Sequence, residues 1–254
     1  MATRTAISQN RLSIRGFENS LNFSGSSQYV TLEGGSNLPI FTSSGQFSIE
    51  MWVRPPAVPA ANIGLYGEGN SATNNQEFAI LFNTTGKIQA FAQNDSDTTI
   101  WNDSSTTLLP IDKWTHVVLT QNAGTGALYM NAVQDATNFS YTPSGTFTFN
   151  QATLGAQRRV SPTSFYTGRI TGVRMFNTAL TGTQVTNLYY LNEVPSSVVA
   201  QYLFTEGSGT VLNDSIGNNE GTITSATWVD NTPSQARIVI SPARTAISGA
   251  RTSI

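Results

Sequence analysis

The sequence contains no cysteine, which excludes a disulfide framework, a thiolate zinc site and a thiol nucleophile. Charge is scarce: charged residues make up 11% of the chain, against about a quarter in an ordinary soluble domain. Solubility must therefore come from Ser, Thr, Asn, Gln and Gly. Such a polar but uncharged surface is typical of secreted, cell-wall and virion proteins, and amides and hydroxyls are also the groups that hydrogen-bond sugars. There is one histidine, His116, and no Ser/His/Asp arrangement is legible around it. No window reaches the roughly 18 apolar residues of a membrane span. The first residues, MATRTAISQNRLSIRGF, lack the apolar region of a secretory signal. That leaves two readings: a protein assembled in the cytoplasm, as a phage structural protein would be, or a chain without its signal.

What is present is β-sheet patterning. The 254 residues are 39% hydrophobic, enough for one large all-β domain. Two stretches look like neighbouring core strands. In Phe47–Pro55, Phe47, Ile49, Met51 and Val53 share one face, because successive strand side chains alternate. Pro55-Pro56 then ends the ladder. In Lys113–Thr120, Trp114, His116 and Val118 oppose Thr115, Val117 and Leu119. Further strands are expected at 20–32, 63–66, 77–93, 98–101, 128–133 and 146–154, with polar loops at 67–75, 94–97 and 102–110. Strands at this spacing with turns between them predict a sandwich or barrel. One helix is expected at Thr181–Leu191. Thr181 and Gln184 form a reciprocal capping box, and Val185, Leu188 and Tyr189 share a face. It is expected to lie against the edge of the sandwich.

These pieces resemble, in order, the laminin-G-like, concanavalin A-like jelly roll. SLNFSGSSQYVTL (20–32), FSIEMWVRP, FNTTGKIQAF (82–91), IDKWTHVVLT, LYMNAV and FYTGRITGVRMFNTALTGTQVTNLY (165–189) each resemble a family strand or turn. QYLFTEGSGTVLNDSIGNNEGTITSATWV (201–229) resembles the segment that usually opens the domain, yet here it comes last. The resemblance implies an antiparallel two-sheet sandwich with one short helix, circularly permuted, over 17–230, with 201–229 completing it. A truncated second repeat is the alternative. Where the family has an Asp-Glu pair this chain has Thr171-Gly172. Where it has an Asn-Gly hairpin turn it has Asn131-Ala132, placing Ala132 at positive φ.

The jelly-roll glucanases that the fold resembles carry Glu-x-Asp-x-x-Glu on one strand, and no such string occurs here. Glycosidases need two carboxyls flanking the bond. Glu50 stands alone on its strand and reads as structural, as does His116, so a non-enzymatic protein is expected. For sugar binding, Trp101 is the expected exposed platform, with Asp97, Asn102 and Asp103 beside it, and Tyr66 and Tyr166 next. Trp52 and Trp114 belong to core motifs, and Trp228 is expected to pack. Calcium, the one cofactor considered, would need several oxygen ligands. Asp95 and Asp97 in one loop, and Asn213 and Asp214 in another, are the candidates; the alternative for each is a solvated turn.

The two ends match. Thr3–Ser8 (TRTAIS) recurs, apart from its first residue, as Ala243–Ser248 (ARTAIS), and six of the 13 basic residues lie beyond the first and last acids, Glu18 and Asp230. Residues 1–16 and 231–254 are read as basic arms, with Arg4, Ile7, Arg11, Arg15, Arg237, Arg244, Ile247 and Arg251 as their repeated elements. Such arms could add as strands to a partner's sheet edge. Nucleic-acid binding is disfavoured, because no aromatics interleave the arginines. The function expected is a virion surface protein, a capsid decoration or fibre, bound to itself or to other virion proteins through its arms and touching host glycans. The alternative is a lectin-like module of a bacterial surface protein, which would be extracellular.

Overall fold

A computed structural model describes residues 16–32, 37–230 and 232–233. The arm residues named above lie outside it, except Gly16 and two positions after Asp230. In chain order the strands are β1 (Ser20–Ser24), β2 (Tyr29–Leu32), β3 (Gln46–Arg54), β4 (Ile63–Gly69), β5 (Glu77–Phe82) and β6 (Lys87–Gln93). Then follow β7 (Thr99–Leu108), β8 (Thr115–Asn122), β9 (Thr125–Met130), β10 (Val133–Gln134), β11 (Gln151–Leu154), β12 (Gln157–Arg158) and β13 (Pro162–Thr163). After β14 (Thr167–Phe176) comes helix α1 (Gly182–Leu191), and the chain continues with β15 (Val198–Tyr202), β16 (Val211–Leu212), β17 (Gly221–Thr224) and β18 (Thr227–Val229).

Two antiparallel sheets form the sandwich. The first runs β10-β9-β8-β3-β14-β1-β18, with β15 also paired to β14; the second runs β16-β17-β2-β11-β4-β5-β6-β7. Residues 198–229 therefore add strands to both sheets: β15 pairs with β14, β17 with β2, and β18 with β1. Both core strands follow the alternation read in the sequence. Phe47, Ile49, Met51 and Val53 meet Val117 and Leu119 in the main core, together with Phe78, Ile80 and Phe82 of the second sheet.

The other face of β3 and β8 is also buried, because α1 lies across it. Val185 and Leu188 pack with Val118, Tyr129, Phe176 and Leu180 in a second apolar cluster, and Tyr189 stacks on Trp52 at 5.7 Å. The helix thus covers the middle of the first sheet, not its edge. Thr181 and Gln184 form the capping box, and Asn192 ends the helix in the left-handed conformation.

Two departures from the sequence reading have physical causes. The polar stretch 102–108 is part of β7, not a loop. As the edge strand of its sheet it needs few apolar side chains, and the Asp135 carboxylate accepts hydrogen bonds from the Thr106 and Thr107 N–H groups on its free edge. In β14, Thr171-Gly172 forms a bulge against β3, where the register shifts. Gly172 has φ +55°, and a Cβ there would lie 2.3 Å from the Phe17 ring. The extra residue restores inward pointing for both Ile170 and Val173.

Candidate functional site

Three of the six residues nominated for sugar binding, the aromatic ones, are inside the protein. Trp101 is 1% exposed; its ring is stacked with Phe78 and Phe41 and packed on Tyr141. Its Nε1 donates to Asp103 Oδ2 at 3.0 Å. This corrects the expectation of an exposed platform. Of its polar neighbours in sequence, Asp97 lies in the turn, Asn102 on the opposite face of β7 and Asp103 on the same face, where it accepts from the indole, so a polar neighbourhood says nothing about where the indole points. Tyr66 is buried with its hydroxyl donating to Glu68 at 2.6 Å, and Tyr166 is buried edge-on to Phe23. Asp97 is exposed in the turn before β7, next to Gln93. Asn102 alone of the set lines a cleft.

The carboxylates nominated for calcium are occupied by hydrogen-bond donors. Asp95 accepts from Thr146 Oγ1 and Thr148 N. Asp214 accepts from the N–H groups of Gln201, Ile216 and Asn219 and from the Asn219 amide. Burial alone would raise its pKa, but these donors hold it below the ordinary value. The Asn213 amide donates to Glu206. Among the described residues no group of three or more His, Cys, Asp or Glu could hold a metal ion.

The cleft that Asn102 lines lies on the outer face of the second sheet. Along β6, Ile88, Ala90 and Ala92 point into the core, so Gln89, Phe91 and Gln93 point outward. Phe91 pairs with Asn102 on β7 and Ala79 on β5. The β12–β13 hairpin forms one wall. It sits directly on β4 because Gly64, Gly67 and Gly69 present no side chain there; a Cβ on Gly67 would stand 2.5 Å from the Arg158 nitrogen. The resulting cleft, about 300 Å³, is lined by Asn62, Glu77, Leu81, Gln89, Phe91, Asn102 and Gln157.

Its polar groups are held in place by one another. Asn62 Nδ2 donates to Gln89 Oε1 at 3.3 Å, and Gln89 Nε2 donates to Asn102 Oδ1 at 2.6 Å. Gln157 Nε2 donates to Glu77 Oε2 at 2.8 Å, and Arg159 donates to both Glu77 oxygens at 3.0 and 2.8 Å. Burial raises the Glu77 pKa, and the Arg159 and Gln157 contacts oppose that rise. An aromatic face beside a row of oriented amides is suited to a neutral, hydroxyl-rich ligand. The apolar surface takes C–H faces, and the few fixed polar groups set orientation. Sequence reasoning missed Phe91, Gln89, Glu77 and Gln157. The signal was available in KIQAFAQ, whose alternation places an aromatic on an otherwise polar face.

Glu50 and His116 sit elsewhere, on the outer face of the first sheet beneath α1. His116 Nε2 lies 2.9 Å from Glu50 Oε1, and Arg174 Nη1 contacts both Glu50 oxygens. All three are fully buried. Arg174 also donates to Gln201 at 2.9 Å and to Asn192 at 2.8 Å, tying β3, β14, β15 and the end of the helix together. Burial alone would raise the Glu50 pKa, but the Arg174 charge and the His116 contact hold it at about 2.

Residues 24–186 match the family model of the concanavalin A-like lectin/glucanases superfamily. The sequence matches no curated protein. Among solved structures, a candidate carbohydrate-binding protein from Bacteroides ovatus superposes with a TM-score of 0.59 at 17% identity. That match covers 84% of this chain and 60% of the other, so this chain spans less than two thirds of that protein. A heptameric SAP-like pentraxin from Limulus polyphemus gives 0.56 at 12% identity, covering 84% and 96%. The CBM40 domain of a Ruminococcus gnavus sialidase, bound to α2,3-sialyllactose, gives 0.52 at 13% identity, covering 67% and 96%. At these identities the likeness is one of fold.

Proposed function

The chain belongs to the concanavalin A-like lectin/glucanases superfamily, and from that premise we propose that it is a glycan-binding module whose site is the outer cleft of the second sheet. The observation that carries this reading is the half-buried Phe91 beside the relay of Asn62, Gln89 and Asn102. Binding, not turnover, is the reading favoured. Glu50 is closed off under the helix and Glu77 is engaged on both oxygens by Arg159, whereas glycoside cleavage needs two carboxyls free to flank the bond. The partners supported are neutral or weakly charged surface glycans, met outside the cell. The test is a glycan array probed with the full chain and with Phe91→Ala. Binding to a set of glycans that the variant loses supports the site; equal binding by both, or by neither, contradicts it.

A second reading concerns where the module works. The matching segments TRTAIS at 3–8 and ARTAIS at 243–248, both outside the described residues, favour docking to a repeating assembly such as a virion surface. The arms would pair with sheet edges of neighbouring copies or other virion proteins. Deleting residues 1–15 and 234–254 should then abolish incorporation into particles while leaving glycan binding intact. Incorporation of the trimmed chain at the full level rules this reading out.

A further inference from the structure

A second cleft lies on the other sheet, where β1 ends and β14 begins. Its floor is a row of three cross-strand partners: Asn22 on β1 faces Arg169 on β14, which faces Arg54 on β3. Their neighbours Leu21, Ile170 and Val53 point into the core, so Asn22, Arg169 and Arg54 share the outer face. Directly opposed strand residues place their Cβ atoms about 5 Å apart, and like charges in that arrangement repel. Two guanidiniums are nevertheless set side by side on a chain of formal net charge −2. Arg54 has Asp112 at 3.9 Å, but the Asp112 side chain is 69% exposed, and such surface pairs contribute little. Among the described residues, Arg169 forms no ion pair within 4.0 Å. Ser24 and Thr167 bring hydroxyls to the rim, and Phe23, Pro56, Gly168 and Asp112 complete the wall, so the lining holds one carboxylate beside the two arginines.

We propose that this cleft binds an oxyanion, the carboxylate or sulfate of an acidic sugar, between Arg54 and Arg169. A guanidinium presents paired donors that match the spacing of oxyanion oxygens. An anion between the two arginines converts their mutual repulsion into two attractions, and Asn22 adds a neutral donor. The cleft holds about 290 Å³. That is far more than the roughly 30 Å³ share of one water, so it admits the anion together with the ring that carries it. The hydroxyls of Ser24 and Thr167 are placed for the remaining polar groups of that ring. This site lies on the sheet opposite the Phe91 cleft and does not depend on glycan binding there.

The experiment is calorimetric titration of the full chain at low salt with a sulfated disaccharide, a uronic-acid disaccharide and a neutral disaccharide. The first two separate sulfate from carboxylate as the source of the anion. At least one acidic disaccharide should bind more tightly than the neutral one, with affinity falling as salt rises. Arg169→Gln and Arg54→Gln should each weaken that binding by about tenfold or more, while Phe91→Ala leaves it unchanged. Arg169→Lys keeps the charge without the paired donors. It should bind between wild type and Arg169→Gln, which reads out the site even if the Gln variant is poorly folded. No preference for either acidic disaccharide over the neutral one overturns the proposal. So does equal binding by wild type and both Gln variants, or a loss of acidic-sugar binding in Phe91→Ala.

Discussion

The Glu50 carboxylate and the Arg174 guanidinium form an ion pair that is 1% exposed on both sides, with Nη1 at 3.1 and 3.0 Å from the two carboxylate oxygens. A charge so deeply buried is stable only with its partner in place. Arg174→Met should therefore cost about 3–5 kcal/mol in urea unfolding, since it strands the Glu50 charge. Glu50→Leu combined with Arg174→Met should recover most of that loss, because the pair is replaced by apolar volume. A double variant as unstable as the single one would contradict this account.

Acid and base should act on different carboxyls. The folded Glu50 pKa of about 2 is below its ordinary value of 4.5, so its stabilisation is present above pH 4.5 and is lost as pH falls towards 2. Glu68 is the reverse. It is buried, and although Tyr66 and the N–H groups of Ile40 and Phe41 donate to it, burial raises its pKa from 4.5 to about 7. The folded state then holds a proton that the unfolded state has released, and stability declines as pH rises from 4.5 to 7. Denaturant unfolding across pH should give a maximum near pH 5. Glu68→Gln should flatten the limb between pH 5 and 7.

The β9–β10 turn carries a removable strain. Asn131 and Ala132 both have positive φ, at 51° and 65°, as a two-residue hairpin loop requires. Asn tolerates this region, but the Ala132 Cβ opposes it at a cost of roughly 1 kcal/mol. Ala132→Gly should raise the unfolding free energy by up to about 1 kcal/mol, less the flexibility glycine adds to the unfolded chain. The midpoint of urea unfolding measures it.

The hairpin wall of the Phe91 cleft depends on bare backbone. A Cβ on Gly67 meets the Arg158 nitrogen at 2.5 Å and the Ala156 oxygen at 3.0 Å. Gly67→Val should cost about 1–3 kcal/mol by overpacking and displace Gln157 from the cleft. Loss of stability and of glycan affinity should appear together in this variant. Phe91→Ala should lose affinity with its melting temperature nearly unchanged.

Much of the fold was legible because its determinants are local. Alternation in 47–54 marks a strand whichever sheet it joins, and Thr181 with Gln184 marks a helix start wherever the helix lies. Placement on the sheet face was not local. It depends on Tyr189 meeting Trp52 and on Val185 joining the cluster that holds Val118, contacts between residues far apart in the chain. The site was harder still. Trp101 drew attention through its polar neighbours, but strand geometry turns it inward. The cleft assembles Asn62, Glu77, Phe91, Asn102 and Gln157 from five separate segments. The outward Phe91 was visible in the pattern, whereas the hairpin that makes its surroundings into a cleft is placed by the glycines of β4.

Nuclear magnetic resonance titration of the isotope-labelled chain with a neutral oligosaccharide selected on the array tests the central claim most directly. Saturable shifts should concentrate on the side chains of Asn62, Gln89, Asn102 and Gln157 and on Phe91, leaving the Trp101 indole N–H unmoved. Shifts centred on another face of the sandwich, with the Phe91 cleft silent, would contradict the account.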